Sequence, residues 1–184
     1  YVSFNYTYFM KKSISTFLKQ PIKDSTNRSA NPSVTRASTI LFNSMQELLQ
    51  HEKKIKANKK ISYYSYGRYG SSTTIELENI LKELEQAYHV FLTGTGFGGV
   101  ALAIMSLCRP GDEILVSDNV YGPTKEITEH LVKEFNINSK FYDPDNFEDL
   151  KNKITKKTKM IIVENPGSNT FEFQDLSKII KVAK

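Results

Sequence analysis

Apolar and polar positions follow no common period over residues 1–30, which reads as an arm rather than a packed element. Residues 44–57 show weak helical spacing in Ser44, Met45, Leu48, Leu49 and Ile55 and run into a lysine-rich loop. An aromatic, glycine-rich loop follows: Tyr63-Tyr64-Ser65-Tyr66-Gly67-Arg68-Tyr69-Gly70. Thr73 and Glu76 then form a capping-box pair ahead of Ile75, Leu77, Ile80, Leu81 and Leu84, which predicts a helix.

From residue 88 the pattern alternates between strand and helix. His89 to Thr93 reads as a short strand, followed by glycines and a helix from Phe97 to Leu107 that Arg109-Pro110-Gly111 breaks. Glu113 to Ser117 is the next strand. Pro123 opens a helix carrying Ile127, Leu131, Val132 and Phe135 on one face. Ser139 to Tyr142 is a third strand, and Asp145 with Glu148 begins another helix. Lys159 to Glu164 is continuously apolar in its middle (Met160, Ile161, Ile162, Val163), the pattern of a strand covered on both faces. A last helix starts at Gln174. Strands separated by helices predict an α/β fold, with βαβ units, right-handed crossovers and a mainly parallel sheet. The organisation expected is an N-terminal arm and helix over residues 1–62 and an α/β domain over 63–184, which the resemblance described below implies is incomplete.

Composition narrows the classes. In 184 residues, 39% are hydrophobic and 24% charged, as in an ordinary globular protein. The net charge of +5 raises the question of nucleic acid. Its one dense lysine run, Lys53 to Lys60, reads better as a solvated helix and loop face, so no nucleic-acid partner is expected. General basicity also suits an anionic ligand such as a phosphate ester. Cys108 is the single cysteine and lies in the apolar run beginning at Val100, so a buried structural thiol is expected and no intrachain disulfide is possible. No signal-peptide pattern opens the chain and no stretch is long and apolar enough for a membrane span. A cytoplasmic protein without a membrane partner is the expectation.

The segment Thr93-Gly94-Thr95-Gly96-Phe97-Gly98-Gly99 contains G-x-G-x-x-G at Gly94, Gly96 and Gly99, after an expected strand and before an expected helix. Asp118 follows at the end of the next strand. That is the setting of a Rossmann-type dinucleotide-binding fingerprint. The physics is more general: glycines let backbone N–H groups approach an anion, and the helix behind them presents a positive dipole end. Two features count against a dinucleotide. A Rossmann first strand usually opens its domain, whereas a long segment precedes this one. That segment also holds Tyr66-Gly67-Arg68, whose phenol and guanidinium suit a phosphate in their own right.

Taken in order, the motifs resemble the Cys/Met-metabolism family of pyridoxal-phosphate enzymes, the trans-sulfuration enzymes of fold type I. Asn31-Pro32 through Ala37-Ser38-Thr39-Ile40-Leu41-Phe42 is similar to the family's N-P-x-V-x-x-A-S-T-x-x-F opening. Tyr66-Gly67-Arg68-Tyr69-Gly70 is similar to Y-G-R-x-G, with Leu77-Glu78 as the L-E that follows. Gly111-Asp112, Tyr121-Gly122-Pro123-Thr124 and Tyr142-Asp143-Pro144 also match. Glu164-Asn165-Pro166-Gly167-Ser168-Asn169-Thr170-Phe171-Glu172 resembles E-x-P-G-S-x-T-x-E. The P-G-S form looks more like the cystathionine β-lyase branch than the γ-type enzymes.

The resemblance implies a fold-type-I large domain, pyridoxal 5′-phosphate as cofactor, and specific roles. Gly96 and the N–H of Phe97, with Thr95 beside them, would hold the cofactor phosphate. Tyr121 would stack on the pyridine ring and Ser168 would lie near the ring hydroxyl. Tyr66 and Arg68 would reach the phosphate of a neighbouring subunit, implying a homo-oligomer with shared sites. The implied reaction is β-elimination of an amino-acid substrate, L-cystathionine, to homocysteine, pyruvate and ammonia in methionine biosynthesis. The family's Schiff-base Lys, in an S-x-T-K context, and the Asp that pairs with the pyridine nitrogen fall beyond residue 184. Thr158-Lys159 is only a textual echo, because it opens a strand. The expectation is therefore an N-terminal fragment with no catalytic residue of its own, inactive alone or complemented by a C-terminal half.

Overall fold

The computed structural model of the protein describes residues 33–57 and 65–184. The arm expected over residues 1–30, the Asn31-Pro32 motif, Tyr63-Tyr64 and the later lysines of the basic run lie outside the described residues. The chain divides into two compact units, Tyr1–Leu92 and Thr93–Lys184.

The first unit contains helix α1 (Met45–Ala57), a 3-10 turn (Gly67–Tyr69) and helix α2 (Ser72–Leu84). The capping box of α2 is not Thr73 with Glu76. The Ser71 hydroxyl accepts from the Thr74 N–H at 3.5 Å, and the Thr74 hydroxyl accepts from the Ser71 N–H at 2.7 Å. Thr73 is engaged elsewhere: its hydroxyl donates to the Ser33 carbonyl at 3.2 Å and accepts from the Thr35 N–H at 2.8 Å. A hydroxyl at the third helical position thus does the work expected of a carboxylate, and the helix starts two residues earlier.

The second unit runs α3 (Gly96–Leu107), β1 (Glu113–Ser117), α4 (Gly122–Glu134), β2 (Asn138–Tyr142), α5 (Phe147–Lys153), β3 (Thr158–Ile162) and α6 (Leu176–Ala183). The strands form a three-stranded parallel sheet in the order β2-β1-β3. Side chains alternate across a strand, so β1 feeds two cores. Ile114 and Val116 pack with Ile104 of α3, Cys108 at its C-cap, Val120 and Ile137 on one face. Leu115 packs with Tyr142, Leu150 and Ile179 on the other. All of β1 is buried. Cys108 lies within the core, and burial pushes its thiol pKa up, as a structural thiol requires.

Two strand expectations change. His89 to Thr93 is not a strand: residues 88–93 join no ladder among the described residues, and Phe91 is 75% exposed. A strand exists only through a partner, which periodicity cannot supply. The apolar strand at 159–164 forms as Thr158–Ile162, half-buried at the outer position of the described sheet. Glu164 and Asn165 leave the ladder to begin a loop. Within the helix after Pro123, Ile127 is buried while Phe135 lies exposed past the last turn. Among the described residues, no helix is long and apolar enough to cross a membrane.

Candidate functional site

The glycine segment forms the start of α3. Thr95 is the N-cap, in extended conformation, and its hydroxyl accepts from the Gly98 N–H at 2.9 Å. The Gly99 N–H donates to the Thr95 carbonyl at 3.2 Å, the first helical bond. The N–H groups of Gly96 and Phe97, the first two helical positions, have no acceptor within the helix and face outward with the dipole behind them. A Cβ built at Gly96 would meet no atom within 4 Å, so packing does not require glycine there. What the position offers is a backbone that an anion can reach. Phe97 itself is 42% exposed.

Because the sheet is parallel, the loops leaving β1 and β3 emerge on one side of it. The β1 loop carries Asp118, Asn119 and Tyr121; the β3 loop carries Glu164 to Gln174. Tyr121 starts α4: its carbonyl accepts from the N–H groups of Thr124 at 2.8 Å and Lys125 at 3.1 Å. Its own N–H is held by Glu164 Oε2 at 2.8 Å, while its ring is exposed. Ser168 is half-buried, and its N–H donates to the Asn119 carbonyl at 2.8 Å. The structure thus brings Tyr121 and Ser168 onto two loops tied to each other. Asp118, the acidic residue that a dinucleotide reading would use, is ion-paired with Lys125.

A buried polar network that sequence reasoning did not find lies beneath these loops. The Tyr142 hydroxyl donates to Gln174 Oε1 at 2.9 Å, Gln174 Nε2 to Ser117 Oγ at 3.0 Å, and Ser117 Oγ to Asn119 Oδ1 at 2.5 Å. Asn119 Nδ2 donates to Glu172 Oε2 at 3.3 Å. Burial pushes the Tyr142 phenol up. The Thr170 hydroxyl, with further help from Asn119, holds the Glu172 carboxyl below its ordinary range. The local sequence signal was Gly167: a Cβ there would stand 2.2 Å from Asn119 Nδ2 and 2.8 Å from Glu172 Oε2, so any side chain at this position would displace the pair.

In the first unit, Tyr66 and Arg68 form an exposed cluster. Tyr66 bridges antiparallel to Thr39, and its hydroxyl accepts from Ser38 Oγ at 3.2 Å. A Cβ at Gly67 would meet the Ala37 carbonyl at 2.0 Å, which explains the glycine between the two functional candidates. The Arg68 guanidinium lies 5.5 Å from the Tyr66 ring centre and 5.2 Å from that of Tyr69, and reaches the Tyr69 hydroxyl at 3.5 Å. The aromatic rings aim the cation without neutralising it, leaving it able to take an anion.

Comparison with known proteins gives the frame for this geometry. A cystathionine beta-lyase from Bordetella avium is 35% identical over 153 residues, covering 83% of this chain and 37% of that protein. An L-alanine/L-glutamate racemase from Wolbachia pipientis wMel is 31% identical over 166 residues, covering 85% of this chain and 40% of that protein. The crystal structure of metB from Corynebacterium glutamicum superposes with a TM-score of 0.81 at 22% identity, covering 94% of this chain and 42% of that one. The chain therefore spans about two fifths of the length of the relatives it matches, and its α/β architecture is that of fold-type-I enzymes. The model of the Cys/Met metabolism PLP-dependent enzymes matches residues 15–184, and the chain belongs to that family.

Proposed function

We propose that this chain forms the phosphate- and ring-holding part of a pyridoxal-phosphate-dependent carbon–sulfur lyase. Its reaction is the β-elimination of L-cystathionine to homocysteine, pyruvate and ammonia. The observation that carries the reading is the N-terminus of α3. There the Gly96 and Phe97 N–H groups are without helical acceptors, and the space a Cβ would take at Gly96 is open. The residues fit the cofactor: a phosphate dianion suits those N–H groups and the helix dipole, with Thr95 fixing the turn. Tyr121 offers an aromatic face and Ser168 a polar edge, matching a pyridine ring and its hydroxyl.

When bound, pyridoxal phosphate supplies the electron sink that lets the Cα–H bond of an amino acid ionise. The chain's own residues bind and orient it. The α3 terminus fixes the phosphate end, and Tyr121, its backbone held by Glu164, sets the plane of the ring. Tyr66 and Arg68 serve the phosphate held by a neighbouring copy, so the active form is a homo-oligomer in the cytoplasm. No S-x-T-K segment occurs in these 184 residues.

Product identification tests the reading. The natural protein, loaded with pyridoxal phosphate and given L-cystathionine, should release homocysteine, pyruvate and ammonia in equal amounts. Release of cysteine and 2-oxobutyrate would make it a γ-type enzyme. Interconversion of alanine enantiomers without any keto acid would align it with the racemase relative instead.

A further inference from the structure

Asn119 takes part in no motif that suggested the cofactor site, yet it is the junction of the two loops that carry Tyr121 and Ser168. It is buried, with 7% of its surface exposed. Its side chain touches Ser117 at one end and Glu172 at the other, and its carbonyl accepts from the Ser168 N–H. Glu172, as a carboxylate, can only accept, so the carboxamide NH2 must face it and Oδ1 must face Ser117. The Ser117 proton then has to go to Oδ1, which leaves the Ser117 oxygen to accept from Gln174 Nε2 and Gln174 Oε1 to accept from the Tyr142 hydroxyl. Every donor in the chain from Tyr142 to Glu172 points the same way, and one proton arrangement satisfies all of them.

The segment this network holds is not one the backbone adopts freely. Asn169 and Phe171 sit at φ 65° and 62°, in the left-handed region, which for a bulky side chain such as Phe persists only when surrounding contacts fix it. Bonds within the segment run from the Gly167 N–H to the Glu172 carbonyl at 3.0 Å and from the Phe171 N–H to the Gly167 carbonyl at 3.1 Å. It is tied to β1 by the Gln174–Ser117 bond and to the loop after β1 at Asn119, through Glu172 and Ser168.

We infer that Asn119 is a positioning residue that sets the orientation of the cofactor ring by locking the Ser168 loop to the Tyr121 loop through Glu172. This rests on the reading that Tyr121 and Ser168 flank that ring. Asn119→Asp places a carboxylate against Glu172. Repulsion raises the affinity of the pair for one proton, so the defect is largest at high pH and relieved as pH falls. Glu172→Gln in the same protein restores a carboxylate–carboxamide pair with the ends exchanged.

The test uses the natural protein loaded with pyridoxal phosphate, reading cofactor retention and visible circular dichroism, which reports how the ring is held. At pH 8, Asn119→Asp should weaken retention about tenfold, the scale for losing one buried hydrogen bond. The dichroism should change with it. Both effects should shrink at pH 5.5 and largely disappear in Asn119→Asp/Glu172→Gln, while inorganic phosphate competes as in the wild type because the α3 terminus is untouched. Should the single variant fail to fold, the double variant carries the test, since it must fold and retain the cofactor with wild-type dichroism. Wild-type retention and dichroism in Asn119→Asp, with the cofactor lost from Tyr121→Ala, would overturn the role of Asn119 and leave the site reading intact. A defect relieved neither by acid nor by Glu172→Gln would also overturn it. A wild-type protein that retains no cofactor would overturn the site reading and this inference together.

Discussion

Gly167 is the residue where sequence and tertiary structure meet most tightly. Its missing side chain lets Asn119 Nδ2 occupy space that a Cβ would enter at 2.2 Å. Gly167→Ala must displace the Asn119 carboxamide and break its bond to Glu172, and is expected to destabilise by about 1–3 kcal/mol, the usual cost of overpacking a close contact. Thermal unfolding of the variant checks this; an unchanged melting temperature would mean that the contact yields without strain. The residues proposed to touch the cofactor stand out in the sequence because each sits in a short pattern: Gly96 and Phe97 in the glycine run, Tyr121 before Pro123, Ser168 after Gly167. The network beneath them does not. Ser117, Asn119, Tyr142, Glu172 and Gln174 come from separated stretches, and although Tyr142 and Glu172 stand in the quoted motifs, nothing in the sequence joins them to the other three. Only the parallel sheet, which collects strand ends on one side, makes them neighbours.

Among elements, β1 shows how burial and charge combine. Glu113 opens the strand with 6% of its surface exposed. Burial drives its carboxyl up, but the Lys140 ammonium and the hydroxyls of Thr158 at 2.9 Å and Thr155 at 3.1 Å outweigh that and hold it below the ordinary range. A depressed folded-state pKa contributes stability above the unfolded value, about 4.3, and that contribution is lost as pH falls through the folded value. Melting temperature should therefore drop on acidification. In Glu113→Gln the acid-dependent part of the drop should shrink, with stability at neutral pH lower by about 1–2 kcal/mol. Gln keeps an oxygen that can accept from both threonines, so the variant loses the ion pair with Lys140, screened because Lys140 is 45% exposed, and the charge that strengthens the hydroxyl bonds. An identical acid response in the variant would assign the pH dependence to other carboxylates. The strands and helices from Glu113 onward were legible because period and breakers agree there. The segment 89–93 was misread because alternation describes a side-chain pattern and says nothing of a ladder partner. The cap of α2 was misread because two hydroxyls, Ser71 and Thr74, can close a box that sequence rules assign to a hydroxyl and a carboxylate.

For the whole molecule, the two units divide the proposed labour: Tyr66 and Arg68 lie in the first, and the α3 terminus, Tyr121 and Ser168 in the second. Arg68 is exposed and stacked on Tyr66 and Tyr69. Arg68→Ala should leave thermal stability within about 0.5 kcal/mol, as for exposed sites in general. It should weaken cofactor retention only in the assembled oligomer, and an equal loss in isolated subunits would refute a role across the subunit boundary. The expectations about the cofactor depend on a phosphate seated at the start of α3. The decisive measurement is the affinity of the natural protein for pyridoxal phosphate, compared with Gly96→Val and Gly94→Ala, with melting temperature recorded for each. A Cβ at either glycine meets nothing within 4 Å, so both variants should fold as the wild type does. Gly96→Val should lose affinity by at least about tenfold because its branches cover the Gly96 and Phe97 N–H groups, whereas Gly94→Ala should stay near the wild-type value. Unchanged affinity in Gly96→Val would contradict the account.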